Sequence, residues 1–333
     1  MDKIVKVAVI GGGSWATAIV KILCENLDYV GWYMRNTAAI EHIKREKHNP
    51  NYISSVEFET EKLGLTSNIN EAVAEADILV FAIPSAFLES ELKNLNVPLK
   101  NKIVFSAIKG IVPETGLIVG EHFHNLYEVP FENIGVITGP CHAEEVALER
   151  LSYLTIACWD SEKAKTVAKA MSCEYIKTKT SDDIIGSEYA AVLKNIYAIA
   201  AGIAHGLGYG DNFQSVLMSC AIREMRRFIK RVHKIKRDVN NSAYLGDLLV
   251  TGYSVFSRNR MFGNMIGKGY TVKSAMMEMN MVAEGYYAVK SAHLITTKFT
   301  RKSKTPIINA VYEILYEGKD AKTTFKKLTD KLD

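Results

Sequence analysis

Several features that would restrict the class of this protein are scarce in its sequence. The 333 residues include only five cysteines, an odd number without a C-x-x-C pair, which predicts reduced thiols in a cytoplasmic protein rather than a disulfide framework. No apolar run approaches the roughly 20 residues of a membrane span. The first apolar run begins within a few residues of Met1, so we expect no secretory signal peptide.

A large excess of charge of one sign is also missing. The formal net charge at pH 7 is only +4, which is too small to indicate a general polyanionic partner. Basic residues do concentrate over Ser219–Arg237, where helical spacing separates an apolar face from basic faces that extend to Lys234, Lys236 and Arg237. A solvated helix is the interpretation that this spacing favours, since stacking aromatic residues are not interleaved there. We therefore expect no nucleic-acid partner.

Candidate metal ligands are scattered through the chain. Of the eight histidines, only His122 and His124 lie within two positions of each other. On a helix that spacing directs the two side chains apart. We therefore expect no metal site.

The most informative stretch that the sequence does contain lies at its start. Val5–Ile10 is a β-branched apolar run, typical of a buried parallel strand. Gly11, Gly13 and Ala16 then form a G-x-G-x-x-A pattern, and Thr17–Glu25 has helical periodicity. Strand, glycine turn and helix together predict a dinucleotide-binding fold, in which Gly11 permits the tight turn and Gly13 lets a pyrophosphate approach the backbone. A glycine turn in an unrelated α/β protein is the alternative.

The choice of cofactor depends on the residue that follows the second predicted strand, Asp28–Met34. A strictly NAD-dependent fold places an acidic residue there, on the adenosine ribose, but this sequence has Arg35. Arginine suits a 2′-phosphate or an adenine face. The sequence therefore admits NADP and does not exclude NAD, and a solvated arginine at a strand end is the alternative.

Two later strand ends carry further candidate ligand-binding residues. Lys102–Ile108 predicts a buried strand that ends at Lys109, where an anionic ligand would be bound in such a sheet. Ile134–Thr138 predicts another strand, followed by Gly139 and by a helix start whose free N–H groups would point to the same edge.

The periodicity changes near Asp183 from that of strands to that of helices. We therefore predict two domains: a doubly wound α/β domain of the Rossmann type over residues 1–183, and an all-α domain over residues 184–333. The very apolar helix predicted at Tyr189–Ala201 contains one charge, Lys194. Burial would lower the pKa of this lysine toward the range useful for proton transfer, and the alternative is a lysine that extends to solvent.

Two polar segments lie between the helices predicted for the second half. They are Tyr244–Leu248, which contains Asp247, and Ser257–Arg260. In the second segment two arginines flank an asparagine just after a serine, which is a compact set of phosphate donors.

These motifs together resemble those of the bacterial-type NAD(P)-dependent glycerol-3-phosphate dehydrogenases, and the resemblance runs nearly end to end. The matching segments, in chain order, are Gly11–Ala18, Lys109-Gly110, Gly139-Pro140, Leu193–Ile196, Gly246-Asp247, Ser257–Arg260 and Glu284-Gly285. Several spaced motifs in one order are more specific than any one of them. The resemblance implies a Rossmann domain followed by a helical domain similar to the C-terminal domain of 6-phosphogluconate dehydrogenase.

The resemblance also implies a reaction and the residues that perform it. The reaction is the reversible reduction of dihydroxyacetone phosphate to sn-glycerol 3-phosphate by NADH or NADPH for phospholipid synthesis, with Lys194 as general acid and base. Gly11 and Gly13 would contact the cofactor together with Ser14, Trp15, Arg35, Lys109, Ala143, Arg258, Val282 and Glu284. The substrate would contact Lys109, Gly139, Asp247, Ser257, Arg258 and Asn259. Asp247 would either orient Lys194 or bind a substrate hydroxyl.

One departure from the family pattern and two alternatives stay open at this point. Cys141 stands where the family has Ser or Thr, and a thiol is a poorer hydrogen-bond donor than a hydroxyl. The alternatives are a hydroxyacid dehydrogenase of the same architecture and a non-catalytic NAD(P)H sensor that binds nucleic acid through the basic helix. The oligomeric state is also open, with a homodimer among the alternatives.

Overall fold

The chain divides into two compact units in the computed structural model, which describes residues 5–279, 283–299 and 304–332. Unit 1 comprises Met1–Ile108 and Leu117–Ile184, and unit 2 comprises Lys109–Gly116 and Ile185–Asp333. Lys109–Gly116 therefore groups with the helical half of the chain, which the sequence did not predict. Val282, a predicted cofactor contact, lies outside the described residues.

Unit 1 is built on one sheet, to which the described residues contribute eight strands in the order β3-β2-β1-β4-β5-β6-β7-β8. The strands are β1 Val7–Ile10, β2 Val30–Tyr33, β3 Leu63–Thr66, β4 Ile78–Phe81, β5 Ile103–Ser106, β6 Ile134–Thr138, β7 Ser152–Cys158 and β8 Ile176–Ser181. All neighbouring pairs are parallel except β6 and β7. The order reverses next to β1, and ligands bind at such a switch point in open α/β sheets.

Helices cover the sheet and explain why its strands are apolar on both faces. They are α1 Ser14–Cys24, α2 Thr37–Glu46, α3 Ile69–Glu75, α4 Leu88–Leu92, α5 Val119–Tyr127, α6 Ala143–Ala147 and α7 Ser161–Ala170. Every residue of β1, β4 and β6 is buried, as expected for central strands of a covered, mostly parallel sheet. The predicted Rossmann-type fold is thus confirmed.

Apart from Lys109–Gly116 and the connecting segments, the described residues of unit 2 are helical. Its helices are α8 Ile184–Gly206, α9 Asp211–Val232, α10 Asp247–Tyr253, α11 Arg258–Gly267, α12 Val272–Glu278, α13 Glu284–Thr297, α14 Pro306–Tyr316 and α15 Ala321–Thr329, with a π-helical turn at Ser242–Gly246. None of the described helices combines the length and the apolar character that a membrane crossing requires.

Two sequence-based predictions about this unit were wrong in detail. The basic helix begins earlier than Ser219 and ends at Val232, where the cap residue His233 leaves helical geometry. The last three basic residues counted on its faces, Lys234, Lys236 and Arg237, therefore lie beyond it. The sequence predicts that Asp247 and the Ser257–Arg260 segment lie between helices, whereas in the structure they begin α10 and α11.

Helix α8 forms the centre of unit 2 because it is apolar all round. Its residues from Gly186 to Ala204 are buried. A Cβ on Gly202 would overlap the carbonyl oxygen of Arg260 in α11, and a Cβ on Gly285 in α13 would lie 2.7 Å from the carbonyl oxygen of Asn195. Glycine thus lets both helices approach the α8 backbone closely, which fixes the position of Lys194 relative to the starts of α11 and α13.

Candidate active site

The glycine turn of unit 1 follows β1 directly. Gly11 has a φ of +139°, and a Cβ there would overlap the carbonyl oxygen of Ala82. Trp32 Nε1 on β2 donates a hydrogen bond of 2.8 Å to the carbonyl oxygen of Gly11, which holds the turn against the neighbouring strand. Only glycine fits this backbone, because other residues rarely adopt such a φ.

The start of α1 is open in the way that a dinucleotide requires. Gly13 is the N-cap residue, and, its two chain neighbours aside, no described residue has a heavy atom within 4 Å of where its Cβ would stand. Ser14 and Trp15 form the first turn of the helix, and Ala143 begins α6, which packs against α1. A helix N-terminus without a side chain in front of it fits the pyrophosphate of NAD or NADP.

Arg35 lies just beyond β2 and is paired with an acid that the sequence did not indicate. Its guanidinium Nη1 is 2.9 Å from Glu91 Oε1 on α4, and the Tyr33 hydroxyl donates to Glu91 Oε2 at 3.0 Å. The Arg35 side chain is 72% exposed and that of Glu91 is 11% exposed. Burial and the adjacent Glu91 carboxylate raise the pKa of Tyr33 to about 12, so its hydroxyl stays protonated and continues to donate.

Gly139, a predicted substrate contact, is also required for a structural reason, because its backbone leaves no room for a side chain. It follows β6 with a φ of +128°, and a Cβ there would lie 2.6 Å from the carbonyl oxygen of Tyr153 on β7. The antiparallel neighbour strand therefore excludes any side chain at this position. Cys141, two residues further on, is buried. Contact of either residue with substrate stays a prediction.

The centre of the candidate site in unit 2 is an ion pair between two buried side chains. Lys194 Nζ on α8 donates to Asp247 Oδ1 at the start of α10, and the two side chains are 4% and 2% exposed. Thr251, one turn along α10, donates from its hydroxyl to the carbonyl oxygen of Asp247 at 2.6 Å. This bond supports the backbone of Asp247, which is the first residue of α10 and follows the π-helical turn directly.

Three more charged side chains interact with this pair or with one another. Desolvation raises the pKa of Glu284 above its usual range, and the charges of Lys109, Arg258 and Lys194 oppose that rise. Lys109 is placed by its backbone, because Asn195 Nδ2 donates to its carbonyl oxygen at 3.1 Å. The resulting group, which we call the Lys194 cluster, contains three cations, Lys109, Lys194 and Arg258, and two acids, Asp247 and Glu284. Its excess of positive charge suits an anionic substrate.

The predicted phosphate-binding segment begins α11 beside the Lys194 cluster. Ser257 is the N-cap residue, and its hydroxyl accepts from the backbone N–H of Arg260 at 3.3 Å. Asn259 Oδ1 accepts from the backbone N–H of Gly285 at 2.9 Å, which ties the starts of α11 and α13 together. Ser257 and Asn259 thus have structural roles in addition to the substrate contacts predicted for them, and Arg258 between them is half-buried.

Lys194 has the properties that a proton donor and acceptor needs near neutral pH. Burial lowers its pKa to about 8; the negative charge of Asp247 opposes this change, and the positive charge of Lys109 adds to it. General acid–base catalysis is most effective when the pKa of the group lies near the working pH. The Lys194 cluster therefore combines a proton-transfer group with cations that can bind an anion.

Three residues of these sites received no role from the sequence. Asn195 positions the Lys109 backbone, Thr251 supports Asp247, and Glu91 pairs with Arg35. The position of Asn195 directly after Lys194 is a sequence signal that could have identified it as a site residue. Thr251 and Glu91 are ordinary helix residues in sequence, and only their contacts distinguish them.

Two family models match the chain and together cover most of it. The description NAD-dependent glycerol-3-phosphate dehydrogenase N-terminus applies to residues 6–164, and the description NAD-dependent glycerol-3-phosphate dehydrogenase C-terminus applies to residues 183–326. The chain belongs to the NAD-dependent glycerol-3-phosphate dehydrogenase family. The resemblance stated from the motifs is thereby confirmed.

Individual members of this family match over nearly their whole length. Glycerol-3-phosphate dehydrogenase (NAD(P)+) of Limosilactobacillus reuteri is 35% identical to this chain, covering 98% of it and 97% of that protein. The protein of the same name from Bacillus subtilis is 33% identical, covering 97% of this chain and 93% of its own. Among solved structures, glycerol-3-phosphate dehydrogenase from Coxiella burnetii superposes with a TM-score of 0.88 at 25% identity, covering 98% of each chain.

Family membership decides between the alternatives that the sequence left open. The chain is an oxidoreductase of the NAD(P)-dependent glycerol-3-phosphate dehydrogenase type, and neither the hydroxyacid dehydrogenase nor the nucleic-acid-binding sensor is favoured. A structure of D-mandelate dehydrogenase with NADH shares the fold at a TM-score of 0.59, but at 17% identity this likeness shows the fold alone.

Proposed function

We propose that this chain catalyses the reversible reduction of dihydroxyacetone phosphate to sn-glycerol 3-phosphate with NADH or NADPH. The observation that carries the proposal is the Lys194 cluster, in which a buried lysine with a pKa of about 8 stands among further cations. Both relatives described above carry this activity in their names. The product is a building block of phospholipid synthesis, the role that the family resemblance implies.

Lys194 is the general acid and base of the proposed reaction. The nicotinamide, when bound, supplies the hydride for reduction of the carbonyl carbon. Protonated Lys194 donates a hydrogen bond to the carbonyl oxygen and transfers its proton as negative charge develops there. In the reverse direction neutral Lys194 accepts the hydroxyl proton. Asp247 orients the amine through the ion pair and stabilises its charged form.

The phosphate of the substrate is bound by the cations of the same cluster. Arg258 presents a planar guanidinium, which matches phosphate oxygens in a bidentate manner, and Lys109 adds a second positive charge. Gly139, Ser257 and Asn259 complete the proposed substrate-binding set through backbone and side-chain polar groups. Binding energy from the phosphate positions the carbonyl carbon for reaction and excludes unphosphorylated ketones.

The cofactor is held by the residues at the start of α1 and at the end of β2. Gly11 and Gly13 leave room for the pyrophosphate, Ser14 and Trp15 lie in the first helical turn, and Arg35 faces solvent beyond β2. Ala143, Lys109, Arg258 and Glu284 are the remaining described residues that we assign to the cofactor. A cytoplasmic location, a homodimeric assembly and the absence of a nucleic-acid partner belong to the same proposal.

The proposal is tested by following oxidation of NADH and of NADPH with dihydroxyacetone phosphate, with unphosphorylated dihydroxyacetone as the control. We expect efficient turnover with the phosphorylated ketone and, at high concentration, no more than a slow residual rate with the unphosphorylated one. Turnover with neither ketone, in protein that still binds the cofactor, would contradict the proposed function. Size-exclusion chromatography with light scattering determines whether the active species is a dimer.

A further inference from the structure

The ion pair between Arg35 and Glu91 brings a carboxylate to the end of β2 from another part of the sheet. Arg35 follows β2, and Glu91 lies on α4, which follows β4. Strands β2 and β4 flank β1 on its two sides, and β1 carries the glycine turn. The pair therefore links the segment that follows β2 to the segment that follows β4, and the glycine turn after β1 lies between these two strands.

Glu91 is held more firmly than an ordinary surface acid. Its second oxygen accepts from the Tyr33 hydroxyl at 3.0 Å, and its side chain is only 11% exposed. Arg35, in contrast, is largely in solvent, and an ion pair with one exposed partner contributes little to folding stability. The arrangement thus fixes a carboxylate beside an exposed guanidinium without a large gain in stability.

We propose that Glu91 is a specificity-determining residue that disfavours the 2′-phosphate of NADP(H) relative to the 2′-hydroxyl of NAD(H). The proposal rests on the proposed function only in assigning Arg35 and its neighbours to the adenosine ribose. Two effects of Glu91 act in the same direction. Its carboxylate occupies Nη1 of the guanidinium that would otherwise bind a 2′-phosphate, and its charge repels a group that carries about −1.5 to −2 at neutral pH.

A ribose hydroxyl is subject to neither penalty, because it is uncharged and can donate to a carboxylate. In dinucleotide-binding folds an acid at the end of the second strand commonly performs this task. Here that position holds Arg35, and the carboxylate is supplied from α4 instead. Arg35 in the sequence after β2 therefore predicts that NADP is accepted, whereas the ion pair of Arg35 with Glu91 indicates discrimination against NADP.

The test compares two ligands that differ only in the 2′-phosphate: adenosine 5′-monophosphate and adenosine 2′,5′-bisphosphate. Their dissociation constants are measured by calorimetry in the wild type, in Glu91→Gln and in Glu91→Ala, and those of NADH and NADPH by fluorescence. Glu162→Gln is the matched control, because it removes the same charge from an exposed pair with Lys165 elsewhere in unit 1. Thermal unfolding of each variant verifies that it is folded.

Removal of the Glu91 charge should favour the 2′-phosphorylated ligand. The dissociation constant of adenosine 2′,5′-bisphosphate divided by that of adenosine 5′-monophosphate should decrease by at least about fivefold, the size expected for one nearby charge in a partly screened site. Both Glu91 variants should show the shift and Glu162→Gln should not. An unchanged ratio, or a shift toward adenosine 5′-monophosphate, would overturn the proposal. If the ratio shifts but dihydroxyacetone phosphate is not reduced, the proposed function fails and the assignment of Glu91 stands. If dihydroxyacetone phosphate is reduced but the ratio does not change, the proposed function stands and the assignment of Glu91 fails.

Discussion

Lys194 and Asp247 form an ion pair although 53 residues separate them in the sequence. Both side chains are almost completely shielded from solvent. Two charges in such a place are costly to desolvate unless they pair, so loss of one partner leaves the other uncompensated. The pair therefore affects both the stability of unit 2 and the protonation of the amine, and experiments on it need to separate these effects.

Replacement of Lys194 should abolish most of the turnover. Lys194→Ala removes the proton donor, and we expect a decrease in kcat of about 10²- to 10⁴-fold, the usual contribution of a general acid or base. Lys194→Arg is the matched variant, because arginine keeps a positive charge opposite Asp247 but does not release its proton. Both variants should show this loss of turnover, and Lys194→Arg should be folded. Wild-type turnover in folded Lys194→Arg would show that the lysine acts by pairing with Asp247 and not by proton transfer.

The two directions of the reaction should depend on pH with opposite signs. Oxidation of glycerol 3-phosphate needs neutral Lys194, so kcat/KM should rise as the pH increases through about 8, the pKa to which burial lowers this group. Reduction of the ketone needs the protonated amine and should fall over the same range. In Asp247→Asn the charge that raises the pKa of Lys194 is lost, so both inflections should move to lower pH by about one unit. Profiles that move together, or an inflection that does not respond to Asp247→Asn, would argue against this assignment.

Replacement of Arg258 should affect binding of the phosphate more than catalysis. We expect Arg258→Ala to raise KM for dihydroxyacetone phosphate by roughly 10- to 100-fold, which corresponds to the loss of charge-assisted hydrogen bonds. Because Arg258 is also assigned to the cofactor, both ketones are compared at saturating NADH, where the residual rate with a high concentration of unphosphorylated dihydroxyacetone should not change. Lys268→Ala removes a cation from the exposed opposite end of α11 and serves as the control. An equal loss with both ketones would place Arg258 outside the phosphate site.

The two glycines of the turn after β1 should respond differently to alanine. Gly11→Ala places a Cβ against the Ala82 carbonyl at a positive φ, so we expect a loss of about 2 kcal/mol or more in the free energy of unfolding. Gly13→Ala meets open space, and it should fold normally while it weakens NADH binding. Chemical denaturation and fluorescence titration of both variants measure these effects. Equal stability of the two variants would contradict the structural role of Gly11.

Glu224 is expected to be a stabilising residue remote from the chemistry. It is fully buried on α9, and its two carboxylate oxygens accept from the backbone N–H groups of Ile307 and Ile308 at 3.0 Å each. These groups start α14, where N–H groups have no partner within the helix. Glu224→Ala should lower the free energy of unfolding by about 2–4 kcal/mol, because it leaves buried donors unsatisfied. Glu162→Ala, an exposed change, should cost less than about 0.5 kcal/mol in the same denaturation experiment.

Family membership and the main chemical groups could be predicted because they depend on local patterns. The β-branched run Val5–Ile10, the glycine turn at Gly11 and the single charge in the apolar helix around Lys194 each have a distinct signature within one element. The helix bounds were less reliable. The starts of α10 and α11 lie among Gly and Ser residues that weaken helical periodicity, so the sequence predicts Asp247 and Arg258 in segments between helices.

What the sequence by itself determined is therefore which residue types are available and which elements carry them. The tertiary structure alone decided which of them meet. Asp247 reaches Lys194 because α10 begins beside α8, Lys109 joins the helical unit through Asn195, and Glu91 reaches Arg35 across the end of the sheet. The physical reason is that burial and charge pairing depend on distances in space between elements far apart in the chain, and periodicity within an element carries no information about them.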